Sequence, residues 1–258
     1  MFSDKTRAIY RNNQLAEVIC QLRFPEILTI NSNPPAEFQE LIRAEYPQYS
    51  ATIETPAPTV RGTPGNLQIQ NQPGTYNYQF VSMDGKWRVN LTSKFISLSC
   101  TRYTQWESFA KKLDGPLAAF ISVYKPAYFE RIGLRYLNFI SRESIGLADT
   151  PYRELIAPAY LGLLGEEDVI ETSTLRSSVD AEIAIRGGCH AKIHAGPGMV
   201  TQNNQRQKEV KFIFDQDLYM NGKIPVNMSA GALETLHSQA YPIFRGAITD
   251  LLHNAMEP

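Results

Sequence analysis

Three arginines have the spacing to gather on one face of a β-sheet. Arg131 and Arg135 lie four residues apart in an alternating segment, 128–140, and Arg23 lies near the end of another, 16–24. Side chains an even number of residues apart point to the same side of a strand. Planar guanidinium groups bind phosphates and carboxylates through paired hydrogen bonds. If the two segments are neighbouring strands, Arg23, Arg131 and Arg135 form a face that binds a small anionic ligand or a nucleotide.

The same arginines also suit a structural role. Acidic residues in strand-like segments, namely Glu17, Glu130, Asp180 and Glu182, are available to neutralise them. Opposite charges paired across strands stabilise a sheet. The sequence favours this structural interpretation, and the ligand-binding face is the alternative.

The histidines do not predict a metal site. His190 and His194 lie four residues apart in a segment that reads as a strand, which separates them by about 13 Å at ~3.3 Å per residue. Ligands of one zinc ion each lie about 2.0–2.1 Å from the metal, so this pair is too far apart. His237 borders a helical apolar stripe and is predicted to be a packed core histidine. We therefore predict no metal ligand.

Motifs for nucleophilic catalysis or phosphate binding are absent from the sequence. It contains no G-x-S-x-G, no Walker A loop and no H-E-x-x-H. The glycine-rich string at 187–198, GGCHAKIHAGPG, lacks the strand–loop–helix context of a phosphate loop and reads as a hairpin and a turn. Cys20, Cys100 and Cys189 occupy inward strand positions, where cysteine acts as a small hydrophobic residue. We predict no catalytic residue and no cofactor.

Composition is typical of a soluble globular protein. The 258 residues are 43% hydrophobic and 20% charged, with 25 Lys and Arg against 26 Asp and Glu, for a net charge of −1. This balance argues against a strongly basic nucleic-acid binder. No apolar run reaches the ~20 residues that span a membrane, and the N-terminal segment has no apolar signal core. We expect a cytoplasmic protein with no membrane association.

The first half of the chain alternates strands and helices. In chain order we predict a strand at 16–24, a helix at 35–45, a hairpin whose turn is Asp84-Gly85, a helix at 104–124 and a strand at 128–140. Residues 47–66 read as a long loop, and a change of apolar parity at 92–94 predicts a bulge or a break. The order of elements is that of a ferredoxin-like split β-α-β unit over residues 1–145.

The second half, residues 146–258, predicts an antiparallel hairpin sheet plus a long C-terminal helix that packs on the first half. A hairpin turns at Gly187-Gly188, and a further strand covers 209–219 after a loop at 196–208. Apolar residues at helical spacing run from 229 to 254, with a bend expected at Pro242. The predicted class is α+β.

Several segments carry a resemblance to a known family. They are LAEVICQLRFP (15–25), FQELIRAEYP (38–47), WRVNLTSKFISLSC (87–100), YTQWESF (103–109) and RIGLRYLNFI (131–140), together with AITDLL (247–252) in the terminal helix. In these the chain resembles a sporadically distributed bacterial family of uncharacterised proteins. The resemblance implies no particular activity and no functional residue. It implies an occurrence near mobile or defence-type genes.

Three functions are compatible with these features. The first hypothesis is a non-enzymatic protein-interaction or regulatory module that holds a partner protein on a sheet face or edge, in a role accessory to a bacterial defence-type system. The alternative is a small-ligand or nucleotide-binding domain that uses Arg23, Arg131 and Arg135. The third is RNA binding, for which the aromatic strand signature of a ferredoxin-like RNA-binding sheet is missing. The oligomeric state and any substrate are left open.

Overall fold

Segments of alternating apolar and polar residues form the strands of the computed structural model, which describes residues 3–55, 59–63, 66–70, 74–202 and 205–257. In chain order the strands are β1 (Leu15–Arg23), β2 (Gln48–Glu54), β3 (Thr59–Thr63), β4 (Asn66–Gln70), β5 (Thr75–Val81), β6 (Trp87–Leu91), β7 (Phe95–Cys100), β8 (Phe129–Ile140), β9 (Val179–Ala184), β10 (His190–Gln202) and β11 (Gln205–Ile224). Nine of them make one antiparallel sheet in the order β2-β5-β6-β7-β1-β8-β11-β10-β9, while β3 and β4 pair with each other.

Helices lie between and after these strands. They are α1 (Leu28–Ser32), α2 (Ala36–Ile42), α3 (Trp106–Tyr124), α4 (Tyr152–Leu155), α5 (Ser229–Ala247) and α6 (Asp250–Ala255). The two long helices contact the middle of the sheet, α3 at β7 and α5 at β8 and β11. Each presents an apolar stripe to the sheet, with Phe109 and Phe120 fully buried in α3 and Leu236 and Ile243 fully buried in α5. Burial of these stripes is what stabilises both helices in water.

The hydrophobic core lies on one face of the sheet. Alternate residues of each central strand are fully buried there against the helices, for example Val18, Cys20 and Leu22 in β1. The intervening residues of the same strand, such as Ile19 and Gln21, are only partly buried. Period-two alternation therefore assigns each side chain either to the core or to the opposite face, which we call the open face.

The two halves of the sheet repeat one order of elements. β1 is followed by helices, the three-stranded meander β5-β6-β7 and α3, and β8 is followed by short helices, the meander β9-β10-β11 and α5. In each half the first strand pairs with the last strand of its meander, β1 with β7 and β8 with β11. Because β8 pairs with β11 as well as with β1, a single sheet runs through both predicted halves, 1–145 and 146–258.

The predicted α+β class is confirmed in its broad form, with a large antiparallel sheet and a C-terminal helix. The nine strands exceed the four of a ferredoxin-like unit. The predicted long loops are largely strands: 47–66 contains β2 and β3, and 196–208 contains the ends of β10 and β11. Residues 56–58, 64–65 and 203–204 lie outside the described residues. All seven residues of β2 are exposed. Its residues Tyr49, Ala51 and Ile53 do alternate with polar ones, but the segment lies among prolines, at 47, 56 and 58, that favour a loop.

The parity change at 92–94 is a hairpin turn and not the bulge that we considered. Leu91 and Ile96 face each other across the antiparallel pair β6–β7. The Thr92 hydroxyl oxygen accepts hydrogen bonds from the backbone N–H groups of Lys94 and Phe95, both at 3.1 Å. Because the chain reverses here, the alternation restarts with the opposite parity.

The C-terminal helical stripe is interrupted after Ala247 and not at Pro242. Pro242 lies inside α5, which continues past it. Ile248 is extended and forms an antiparallel bridge with Ile156. Thr249 then starts α6, where its side chain accepts a hydrogen bond from the backbone N–H of Leu252. A tertiary pairing and an N-cap, which apolar periodicity does not report, set the end of α5.

Two glycines, one in β10 and one in α5, differ in the space that surrounds them. A Cβ at Gly196 would lie 2.5 Å from the backbone oxygen of Ser177, whereas a Cβ at Gly231 in α5 meets no atom within 4 Å. We expect Gly196→Ala to lower the free energy of unfolding by about 1–3 kcal/mol through overpacking. We expect Gly231→Ala to raise it by up to about 1 kcal/mol, because alanine loses less backbone entropy in a helix. Guanidinium chloride unfolding measures both, and equal shifts for the two variants would contradict the packing.

Candidate functional site

The three arginines predicted as a ligand site all lie on the open face. Arg23 of β1 and Arg131 of β8 are directly opposite each other in the antiparallel register, and Arg135 lies opposite Ile19. β1 and β8 are therefore neighbouring strands, as the prediction required. What the spacing did not indicate is that β11 lies on the other side of β8 and brings its own carboxylates.

Aspartates of β11 bind two of the three guanidinium groups. Arg131 Nη2 donates to Asp217 Oδ2 at 2.7 Å, and Arg135 Nε donates to Asp215 Oδ1 at 2.7 Å. A second bond joins Arg135 Nη2 to Asp215 Oδ2, so this pair is bidentate. The hydrogen bonds to Asp215 raise the pKa of Arg135 further above its usual value. Arg131 and Arg135 thus form ion pairs with Asp217 and Asp215. The structural interpretation of the sequence had named other partners, which were Glu17, Glu130, Asp180 and Glu182.

The Arg131 side chain also packs against Gly133 and the Tyr219 ring. Its guanidinium lies over Gly133, where any Cβ would collide with it. Its Cζ is 4.6 Å from the centroid of the Tyr219 ring, and the Tyr219 hydroxyl donates to Glu182. Arg23, by contrast, is exposed and forms no ion pair with any residue that the structure describes. The three arginines therefore divide into two that are neutralised and one whose charge is unpaired.

The histidines and cysteines, for which we predicted no metal site, stand apart from one another. His190 stacks on the Tyr219 ring with centroids 5.1 Å apart, while His194 Nδ1 lies 2.8 Å from Asp180 Oδ1. Cys20, Cys100 and Cys189 are buried as free thiols, as expected for small hydrophobic residues. Among the described residues, no three His, Cys, Asp or Glu side chains form a group that could hold a metal ion.

The open face also carries an apolar patch, which consists of Ile19, Leu137, Phe139 and Ile213. All four side chains are partly buried, and none belongs to the hydrophobic core. Phe139 faces Ile213 across β8 and β11, Leu137 lies two residues along β8, and Ile19 is its diagonal neighbour on β1. Sequence analysis missed the patch because β8 is apolar on both faces at this end, so the alternation there is weak.

On the helix-covered side, a cavity of about 90 Å³ lies between the sheet and α5. Residues 3–14, which we call the N-terminal strap, form its outer wall without any helix or strand. The polar side chains that line it from the sheet and helix are Tyr136, Asn138, Gln216, His237 and Tyr241. Asn138 and Gln216 occupy inward strand positions, where apolar residues are expected. That exception to the pattern was the signal by which the sequence alone would have located this cavity.

His237 is the packed core histidine that the helical pattern predicted. It is 8% exposed, its ring stacks on Trp106 with centroids 4.6 Å apart, and its Nδ1 lies 2.9 Å from the Tyr136 hydroxyl. Burial, with a smaller contribution from the positive charge of Arg7, lowers the pKa of His237 to about 4, against opposing contributions from Glu234 and Glu107. The imidazole is therefore neutral at pH 7.

Comparison with known proteins adds no functional assignment. The chain matches no family model, and no curated protein matches its sequence. The resemblance to a sporadically distributed bacterial family therefore stays a prediction. In the part of the chain that the structure describes, no helix combines the length and the apolar character needed to cross a membrane.

We expect acid to destabilise the folded state through His237. A histidine in the unfolded chain has a pKa of about 6.5, and that of folded His237 is about 4. Between these values the unfolded state binds the additional proton, so the free energy of unfolding falls by up to about 3 kcal/mol as the pH drops from 6.5 to 4.

The variant His237→Gln removes this titration. Its free energy of unfolding, measured in guanidinium chloride between pH 4 and pH 8, should fall less steeply with acid than that of the wild type. Parallel curves for His237→Gln and the wild type would contradict the assignment.

Proposed function

We propose that this protein is a non-enzymatic interaction module that binds a partner protein on the open face of its sheet. The apolar patch carries the proposal. Ile19, Leu137, Phe139 and Ile213 lie side by side on the face that no described helix covers. Contiguous apolar residues rimmed by polar ones are the usual mark of a protein–protein contact surface.

The charges beside the patch support a protein partner. Arg131 and Arg135 are already bound by Asp217 and Asp215, so a phosphate or carboxylate ligand would have to displace these aspartates. Because each ion pair is neutral overall, the pairs offer no net attraction to the phosphate backbone of RNA. For a protein surface the same ion pairs supply a polar rim whose charges are balanced.

The dimensions of the sheet also suit a protein. Eight gaps between its nine strands, at about 4.8 Å each, make the sheet about 38 Å wide. A stable protein–protein interface buries about 800 Å² on each partner. A flat face of this width supplies that area, whereas a small ligand needs a concave site that buries most of its surface.

We also propose a more specific fold assignment and a biological process for this module. The strand order β8-β1-β7-β6, antiparallel throughout, with helices before β6 and before β8, supports a ferredoxin-like unit embedded in the larger sheet. The resemblance of the sequence to a sporadically distributed bacterial family supports a cytoplasmic role accessory to a defence-type system, in which the module regulates its partner.

A charge placed in the apolar patch tests the partner surface. We expect Ile213→Glu to weaken binding of a stoichiometric partner, recovered by affinity capture from the source cells, at least about tenfold, because a carboxylate would be desolvated in the interface. Isothermal titration with the purified partner measures the loss. The matched control is Leu175→Glu, at a fully exposed leucine outside the sheet.

The control variant should bind like the wild type, and unfolding curves should show both variants folded. Equal losses for Ile213→Glu and Leu175→Glu would contradict the proposal, as would the recovery of no stoichiometric partner. If the partner is a second copy of the chain, sedimentation will show a dimer that Ile213→Glu dissociates.

The alternative function, binding of a small anion at the arginines, keeps one specific observation in its favour. Arg23 and Arg131 lie directly opposite each other on neighbouring strands, and like charges in that position are unfavourable. An anion placed between them would relieve the repulsion.

For that alternative we expect a nucleotide such as ATP to raise the melting temperature of the wild type, and Arg23→Gln to remove the rise. The control is Arg88→Gln, at an exposed arginine of β6. A melting temperature that no member of a nucleotide and metabolite panel changes, or a loss that both variants share, would exclude a specific anion site at Arg23.

A further inference from the structure

The cavity under the N-terminal strap lies on the side of the sheet opposite the apolar patch. The strap is fastened at both ends: Ser3 N donates to Pro242 O at 3.0 Å, and the backbone N–H groups of Arg11 and Asn12 donate to carbonyl oxygens of Glu257 and Met256 at 3.0 and 3.1 Å. Between these points it covers a space bounded by β8, β11 and α5. This cavity is independent of the surface proposed for a partner protein.

The polar groups that line the interior of the cavity are uncharged at pH 7. His237 is neutral, and burial raises the pKa of Tyr103 to about 12 and that of Tyr136 well above its usual value. The other polar groups on the sheet side are the amides of Asn138 and Gln216. An ionised group would be poorly solvated among them, so the inner part of any ligand must be neutral.

One polar atom at the inner end has no partner. Gln216 is 3% exposed, and its Oε1 accepts no hydrogen bond within the described structure. The neighbouring Asn138 amide is engaged, since its Nδ2 donates to Phe214 O at 3.2 Å. A buried carbonyl oxygen without a donor is unfavourable. A ligand that carries a hydroxyl or N–H group at this end would satisfy it.

The outer end of the cavity is positively charged. Arg7 of the strap lines the cavity. Its positive charge opposes the rise in the pKa values of Tyr103 and Tyr136 and adds to the fall in that of His237. Its contact with Glu107 is long, with Nη1 3.4 Å from Oε1, and the Glu107 side chain is largely exposed. Arg7 is therefore free to exchange this carboxylate for that of a ligand.

We propose that the cavity binds a small carboxylic acid whose carboxylate pairs with Arg7 and whose opposite end donates a hydrogen bond to Gln216. The body between the two ends is compact and apolar, in keeping with the aromatic walls of Tyr103, Tyr136 and Phe244. An apolar cavity of about 150 Å³ holds a benzene ring. A cavity of about 90 Å³ is smaller than this, so it encloses a short aliphatic chain, and a ring fits only with part of it in the opening.

Three probes of one shape test the two ends separately on the full-length protein. They are 4-hydroxybenzoate, benzoate, which lacks the distal donor, and 4-hydroxybenzamide, which lacks the negative charge. A fourth probe, 4-hydroxybutyrate, tests a narrower body. Isothermal titration and ligand-observed NMR measure binding. We expect a hydroxy acid to bind at least about tenfold more tightly than either analogue that lacks one end. If neither hydroxy acid binds at millimolar concentration, the proposal is wrong.

A matched pair of strap variants assigns the site. Arg7→Gln should weaken the hydroxy acid at least about tenfold and leave the amide unchanged, while Lys5→Gln, which removes the strap's other ion pair, to Asp250, should leave both unchanged. Gln216→Met should weaken the hydroxy acid but not benzoate. Equal effects of Arg7→Gln and Lys5→Gln would overturn the proposal by showing that general charge, and not this cavity, holds the acid.

Discussion

The antiparallel pairing of β1 with β8 is the interaction on which the rest of the molecule depends. These two strands lie at the centre of the nine-stranded order, and each begins one of the two repeated sets of elements. Their register places Val18 beside Tyr136 on the core face and Arg23 beside Arg131 on the open face. A slip of one residue would exchange the two faces and expose the core, so burial of one face fixes this register strongly.

Covering only one face gives the sheet two unlike surfaces. On the helix side, apolar packing is complete except around Asn138, Gln216 and His237, where the N-terminal strap replaces a helix as the cover. On the open side, charged residues remain because cross-strand aspartates neutralise them, as Asp215 does for Arg135. A large sheet of this kind therefore carries the cavity and the apolar patch back to back, with no shared residues.

The local elements were predictable where one face of an element is buried. The strand at 16–24, the helix at 104–124 and the hairpin at Gly187-Gly188 were read from periodicity and turn chemistry, because each carries its own apolar pattern. β2 carries a similar alternation at Tyr49, Ala51 and Ile53, but none of its residues is buried, and the surrounding prolines favoured a loop there. The chain reversal at Thr92 was read as a bulge because a parity change has the same appearance in both cases.

Sequence alone determined which residue types face which side of each strand, and hence that Arg131 and Arg135 share a face and that Cys20 and His237 lie in the core. These properties depend on backbone geometry, which repeats every two or 3.6 residues. Tertiary structure alone decided that Asp215 and Asp217 neutralise the arginines, and that a strap with no regular structure encloses Gln216. Those contacts join residues far apart in the chain, and no local period encodes which strand becomes the neighbour of another.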